Sequence, residues 1–170
     1  MAIRIQKTDG GRESAGFAEK KDCTVRSLAC AANIPYATAH DIARRAGRPN
    51  CKGWFTERIH PVAQADGVLE FVTIPLGVYR RGLAGFNERL VYPTVAQIAR
   101  KYPKGRYILN TCNHATTLID GEIHDTGVRP GAKVVSIWEV RLPEPKPAPP
   151  CTQAQVNELW ERLNQLENRQ

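Results

Sequence analysis

An α+β fold is what this chain predicts, because its helical spacings come early and its alternating runs come late. Apolar residues recur at three- and four-residue intervals from Cys23 to Asn33, a second helix fits Tyr36 to Ala46, and from Arg106 onward the pattern turns to alternation. Helices first and sheet last mark α+β, with N-terminal helices packed on a C-terminal antiparallel sheet. The 170 residues, 42% hydrophobic and 24% charged, suit one domain with a real core and leave no room for a second full one.

The first helix is expected from Cys23 to Asn33, with Asp22 as its cap and Val25, Leu28, Ala29 and Ala32 on one face, and Pro35 ends it. The second, Tyr36 to Ala46, closes at Gly47, where a left-handed residue is favoured. Arg48 to Gly67 is mixed, with Pro61 interrupting any long helix. Val68 to Ile74 is β-rich, and Pro75 to Tyr92, with three glycines, reads as irregular loop. Thr94-Val95-Ala96-Gln97 is a capping-box pattern that opens a helix to about Tyr102, stopped by Pro103 and Gly105. Strands follow at Arg106 to Asn110, His114 to Ile119, Glu122 to Thr126 and Lys133 to Leu142, as an antiparallel meander.

The domain is expected to end at residue 142. Arg141 to Pro150 has five prolines, so residues 143–150 form an extended, semi-rigid linker. In the tail, 151–170, Val156, Leu159, Leu163 and Leu166 make an a/d seam with Trp160 beside it. Two heptads are too few for a lone helix in water, so the tail is helical only when docked on itself, on the domain or on another protein.

Composition narrows the function classes. The longest apolar stretches fall far short of the roughly 20 residues that cross a bilayer, and the N-terminus lacks a signal-peptide core, so no membrane is involved and the host cytoplasm is expected. Five scattered cysteines without a CxxC pair suggest neither a disulfide framework nor a zinc ribbon. The formal net charge of +7 concentrates between Arg80 and Arg106, where Arg80, Arg81, Arg89, Arg100, Lys101, Lys104 and Arg106 face only Glu88. Such a patch admits a nucleic-acid partner, but no aromatic ladder, Cys/His finger or recognition helix accompanies it, and a solvated basic face is the plainer reading.

Two stretches carry the chemical character: KKDCTVRSLACAA and NHATTLIDGEIHDTG. Cys23 falls in the first turn of a helix, where the dipole and free N–H groups stabilise a thiolate and could face a developing oxyanion. Asp120-Gly121 is a two-residue hairpin signal of type I′. It pairs Leu118 with Ile123 and Thr116 with Asp125, so His114, Thr116 and Leu118 share a face with Ile123 and Asp125. His114 and Asp125 are then diagonal neighbours at about 7–8 Å between backbones, within reach of a carboxylate–imidazole contact. A cysteine nucleophile needs such a base, with one nitrogen oriented by an acid and the other facing the thiol. His124 falls on the opposite face, so Cys112, His114 and His124 do not converge on a metal; neither metal nor cofactor is expected.

EKKDC before a helix, then GRYIL, then NHA before a strand, a DG turn and HDT, resembles small papain-like cysteine peptidase domains of bacteriophages and mobile elements; bacteriocin-processing peptidase domains are similar. The resemblance covers about residues 17 to 127. It implies a papain-like fold with Cys23 as nucleophile, His114 as general base and acid, and Asp125 as orienting acid, acting on a protein or peptide. Such peptidases commonly carry a Gln several residues before the cysteine as oxyanion donor. Here Phe17 stands six before Cys23 and Gln6 is too far upstream, which leaves the backbone, Asn113 or Thr24 for that role. Three functions are therefore expected to compete: a thiol peptidase or deconjugating enzyme, a catalytically silent module of a viral particle or other assembly, and a basic nucleic-acid binder.

Overall fold

The computed structural model of the chain describes residues 3–54, 56–76, 79–83 and 86–143. A short strand, β1 (Arg4–Gln6), precedes helices α1 (Cys23–Ala32), α2 (Tyr36–Arg45) and α3 (Thr56–Ala65). Strands β2 (Glu70–Thr73), β3 (Tyr79–Leu83) and β4 (Phe86–Val91) follow, then helix α4 (Val95–Lys101) and strands β5 (Arg106–Thr111), β6 (Ala115–Ile119), β7 (Glu122–His124) and β8 (Val134–Arg141). The class is α+β, as expected. The linker at 143–150, beyond Pro143, and the tail helix with Val156, Leu159, Trp160, Leu163 and Leu166 lie outside the described residues.

Six strands form one open sheet in the order β1, β7, β6, β5, β8, β2, and β3 pairs with β4 apart from it. The expectation of a purely antiparallel meander is corrected in two ways. β1 adds to β7 in parallel, Arg4 opposite Glu122 and Gln6 opposite His124, which makes the sheet mixed. β8 returns to pair with β5 rather than β7. β7 is three residues long and its outer edge is taken, whereas β5 offers a six-residue edge that the eight-residue β8 can match.

Alternation along β5 divides the core. Ile108, with Trp138 and Val140 of β8, packs against α1, α2 and α3 through Val25, Leu28, Ile42 and Ile59. Tyr107 and Leu109, with Leu118, Ile123 and Ile137, pack against α4 through Val95 and Ile98. Both sheet faces are therefore covered, and β5 reads as a continuous buried run for that reason. The capping box forms as expected: Gln97 N–H donates to Thr94 Oγ1 at 3.2 Å, and Thr94 N–H donates to Gln97 Oε1 at 2.8 Å.

Three segments depart from the sequence reading. α3 runs through Pro61 instead of stopping there, because a proline in a ten-residue helix forfeits one backbone bond, and Ile59, His60 and Ala63 gain burial in exchange. His60 stacks on Phe71 with ring centroids 3.5 Å apart, and burial takes its pKa down to about 4, so it serves the core as a neutral ring. The 75–92 stretch, expected as loop, holds the β3–β4 hairpin. Arg106, counted with the basic face, turns inward: its Nη1 donates to the carbonyls of Cys30 and Ala31 at 3.0 and 3.2 Å, a cation on the C-terminal end of α1.

Candidate active site

Cys23 opens α1, so its own N–H and those of Thr24 and Val25 have no acceptor within the helix. Asp22 occupies the cap position but, against expectation, its carboxylate makes no capping bond. It accepts instead from Tyr36 Oη–H at 2.9 Å and Arg26 Nε–H at 3.1 Å, because a charged donor and a buried hydroxyl outcompete a backbone N–H. The start of α1 is thereby clamped to α2, and Thr117 Oγ1–H donates to Ser27 O at 3.0 Å to clamp it to β6.

His114 closes the β5–β6 hairpin, where the N–H and Oγ1–H of Thr111 both donate to its carbonyl at 2.8 and 3.1 Å. The next turn forms in the even register at Asp120-Gly121. Ile119 pairs with Glu122, Leu118 with Ile123 and Thr117 with His124, and both turn residues have positive φ, 48° and 80°. Gly105 N–H donates to Asp120 Oδ1 at 2.9 Å, which occupies that acid at the turn. The parity that follows sets Asp125 beside His114: Nε2–H donates to Asp125 Oδ2 at 2.6 Å. Its other nitrogen, Nδ1, is left for the thiol of Cys23, which lies beside the ring in the same pocket and close enough to raise its pKa.

Asp125 is 3% exposed and held from several sides. Its Oδ1 accepts from Thr126 N–H at 2.5 Å and Gly127 N–H at 3.1 Å, and Arg26 Nη1 lies 3.5 Å away. Its backbone is bracketed by β1 and the chain after it: Asp125 N–H donates to Gln6 O at 3.1 Å and Thr8 N–H to Asp125 O at 3.3 Å. Arg26 thus joins the acid before the cysteine, Asp22, to the acid behind the histidine.

The three groups share their electrostatics. Burial alone would raise the Cys23 thiol, but the hydrogen bond from His114, the N–H of Ala115 and the His114 charge take it below its ordinary value. The bond to Asp125, then that to Cys23, raises His114 to about 9 against the opposing effect of burial. Burial would also raise Asp125, yet His114, Thr116 and the Gly127 N–H bring it down to about 2. The buried Thr116 hydroxyl makes no hydrogen bond of good geometry, but it lies near enough to favour the carboxylate. Each shift favours the charged form, thiolate beside imidazolium beside carboxylate.

Cys23 and His114 open into a pocket of about 340 Å³. Of the two expected oxyanion donors, Asn113 lines it from the exposed hairpin tip. Thr24 lines it too, its hydroxyl donating to Trp54 O at 3.0 Å, which fastens the loop before α3 and leaves the backbone N–H as its free donor. Phe17 takes no part, since its ring packs against Tyr36 and His40 at 5.1 and 4.7 Å, and Gln6 serves through its carbonyl in β1. His124 lines a different cavity, with Cys30, Asn33 and Arg106.

Four contributors escaped the sequence. Trp54, Glu57 and Asn110 line the pocket, and Thr56 Oγ1–H donates to Asn110 Oδ1 at 2.9 Å, tying α3 to the end of β5. Arg26 had a visible signal, the i,i+4 spacing from Asp22, but its second partner lies 99 residues away. The chain matches no protein-family model, no curated protein and no solved structure.

Proposed function

We propose that the protein is a papain-like cysteine hydrolase that cleaves a peptide or isopeptide bond through an acyl-enzyme on Cys23. The observation that carries this reading is the 2.6 Å His114–Asp125 contact, which leaves Nδ1 for the thiol of Cys23 beside it at an open pocket. The Cys23 thiolate attacks the carbonyl carbon, and Nδ1–H of the His114 imidazolium gives its proton to the departing amine. A water then attacks the thioester, giving its proton to Nδ1, and the thiolate leaves as the acid product forms. Asp125 keeps Nε2 protonated throughout. The first-turn N–H groups of α1 and the amide of Asn113 are the oxyanion donors in this reading.

A second reading has one observation in its favour: no glutamine side chain lines the pocket among the described residues, and the Thr24 hydroxyl is committed elsewhere. In it the domain is a catalytically silent module of a viral particle or other assembly. In either reading the linker and tail bring the domain to a protein partner or a second copy, in the host cytoplasm or on a particle. Alkylation by iodoacetamide at neutral pH separates the two. Rapid modification selective for Cys23, lost in His114→Ala, supports the hydrolase; slow labelling of all the cysteines alike supports the module.

A further inference from the structure

The pocket beside Cys23 has a chemical bias of its own. Among the described residues that line it, Glu57 alone carries a permanent charge apart from the Cys23–His114 pair, on a chain whose formal net charge is +7. Two hydrogen bonds fix the segment that bears it. Thr24 Oγ1–H to Trp54 O, 3.0 Å, fastens one end beside the nucleophile, and Thr56 Oγ1–H to Asn110 Oδ1, 2.9 Å, fastens the other beside β5. Glu57 follows Thr56 in the first turn of α3, where the helix dipole favours a carboxylate, and among the described residues no ion pair neutralises it. Val135 supplies apolar surface in the same pocket, as does Trp54, whose ring has the Arg58 guanidinium 5.2 Å from its centroid. An apolar wall with one exposed carboxylate on an anchored helix start suits a side chain with an aliphatic stem and a cationic head.

We propose that Glu57 selects a lysine or arginine side chain of the peptide substrate, close to the bond that Cys23 attacks. This rests on the hydrolase reading and names the substrate class for it. A solvent-accessible ion pair is worth up to about fivefold in binding. Against an acidic competitor attraction is replaced by repulsion, so the preference for Lys over Glu widens to roughly tenfold.

The test uses the full chain and tripeptidyl acyloxymethyl ketones carrying Lys, Arg, Leu or Glu at each of the three positions before the electrophile. The rate of Cys23 labelling by each probe is divided by the same protein's rate with iodoacetamide, which cancels changes in folding and in thiol reactivity. At one position the normalised rate is expected to favour Lys and Arg over Glu by roughly tenfold, to become nearly indifferent in Glu57→Gln, and to invert in Glu57→Lys. Equal rates for Lys and Glu probes, or a preference for Lys that survives Glu57→Gln, overturns the assignment of Glu57 while leaving the hydrolase reading standing. A Cys23 that iodoacetamide does not modify selectively overturns both.

Discussion

Replacing Asp125 by asparagine should disable the site by a route that the structure dictates. Oδ1 accepts the N–H groups of Thr126 and Gly127 and the Thr126 hydroxyl and faces the Arg26 guanidinium, whereas Oδ2 accepts from His114. An asparagine must therefore put its carbonyl oxygen at the Oδ1 site, because the reverse orientation would set an NH2 group against two backbone N–H donors and a cation. Losing two hydrogen bonds and facing a guanidinium with a second donor is the less favourable arrangement, which decides the orientation. The NH2 group then points at Nε2 of His114 and forces the tautomer with its proton on Nδ1. That nitrogen can no longer take the thiol proton, and the imidazolium is disfavoured because Nε2–H would oppose NH2.

The His114 pKa should consequently fall from its raised value of about 9, and Cys23 should return to the range of an ordinary thiol, about 8.5. At pH 6.5 such a thiol is only about 1% ionised, so alkylation of Cys23 by iodoacetamide should be clearly slower than in the parent, whose thiol is held below its ordinary value by His114. Turnover should fall further, by about 10⁴, the loss seen when a triad histidine is held in the wrong tautomer. Intact-mass measurement of alkylation across pH 5 to 9 reads the first effect directly. An Asp125→Asn protein that alkylates as fast as the parent at pH 6.5 would refute the proposed hydrogen-bond polarity.

Three further outcomes follow from the same geometry. Asp120→Ala should lower stability by about 1 kcal/mol through loss of the Gly105 N–H bond and leave alkylation of Cys23 nearly intact, whereas Asp125→Ala should abolish the thiolate; equal losses from both would sink the triad. Asp125 has its folded pKa lowered to about 2, so its contribution of about 2 kcal/mol is fully present above the ordinary carboxylate range and is lost as pH falls from about 4 toward 2; urea midpoints of the parent and Asp125→Asn should converge over that window. Removing residues 151–170 should leave the domain folded, because an extended proline-rich segment carries few contacts, and should abolish self-association or partner docking; equal solution masses for monomeric full-length and shortened chains would count against the apolar seam.

Local rules made much of the site legible. A two-residue Asp-Gly loop admits one register, and that register alone brings Asp125 to His114. Pattern and capping likewise marked α1, α2 and α4. Where the sequence misled, a local cue was overridden by something distant. Pro61 and the glycines of 75–92 are local breakers, yet burial of Ile59 and Ala63, and the pairing of β3 with β4, decided those segments. Asp22 looked like a cap until the Tyr36 hydroxyl and Arg26 competed for its carboxylate. Arg106 counted as surface charge until the end of α1 was found above it. β1 has no readable pattern at all, since a three-residue parallel edge strand with every side chain exposed leaves no periodicity behind.

That unreadable strand explains why Asp125 can do what the hairpin alone could not require of it. β7 ends at His124, so antiparallel pairing with β6 stops one residue short of the acid. A residue just past a strand end would ordinarily fray, and a mobile carboxylate could not keep a histidine in one tautomer. The backbone of Asp125 is instead carried onward by its own N–H to Gln6 O and its own C=O to Thr8 N–H, both from the opposite end of the chain. Arg26 then ties its side chain to α1, the helix that begins with Cys23. The orienting acid is thus fixed by one partner on each side, β1 for its backbone and α1 for its charge, and the nucleophile's helix is among the elements that position the base.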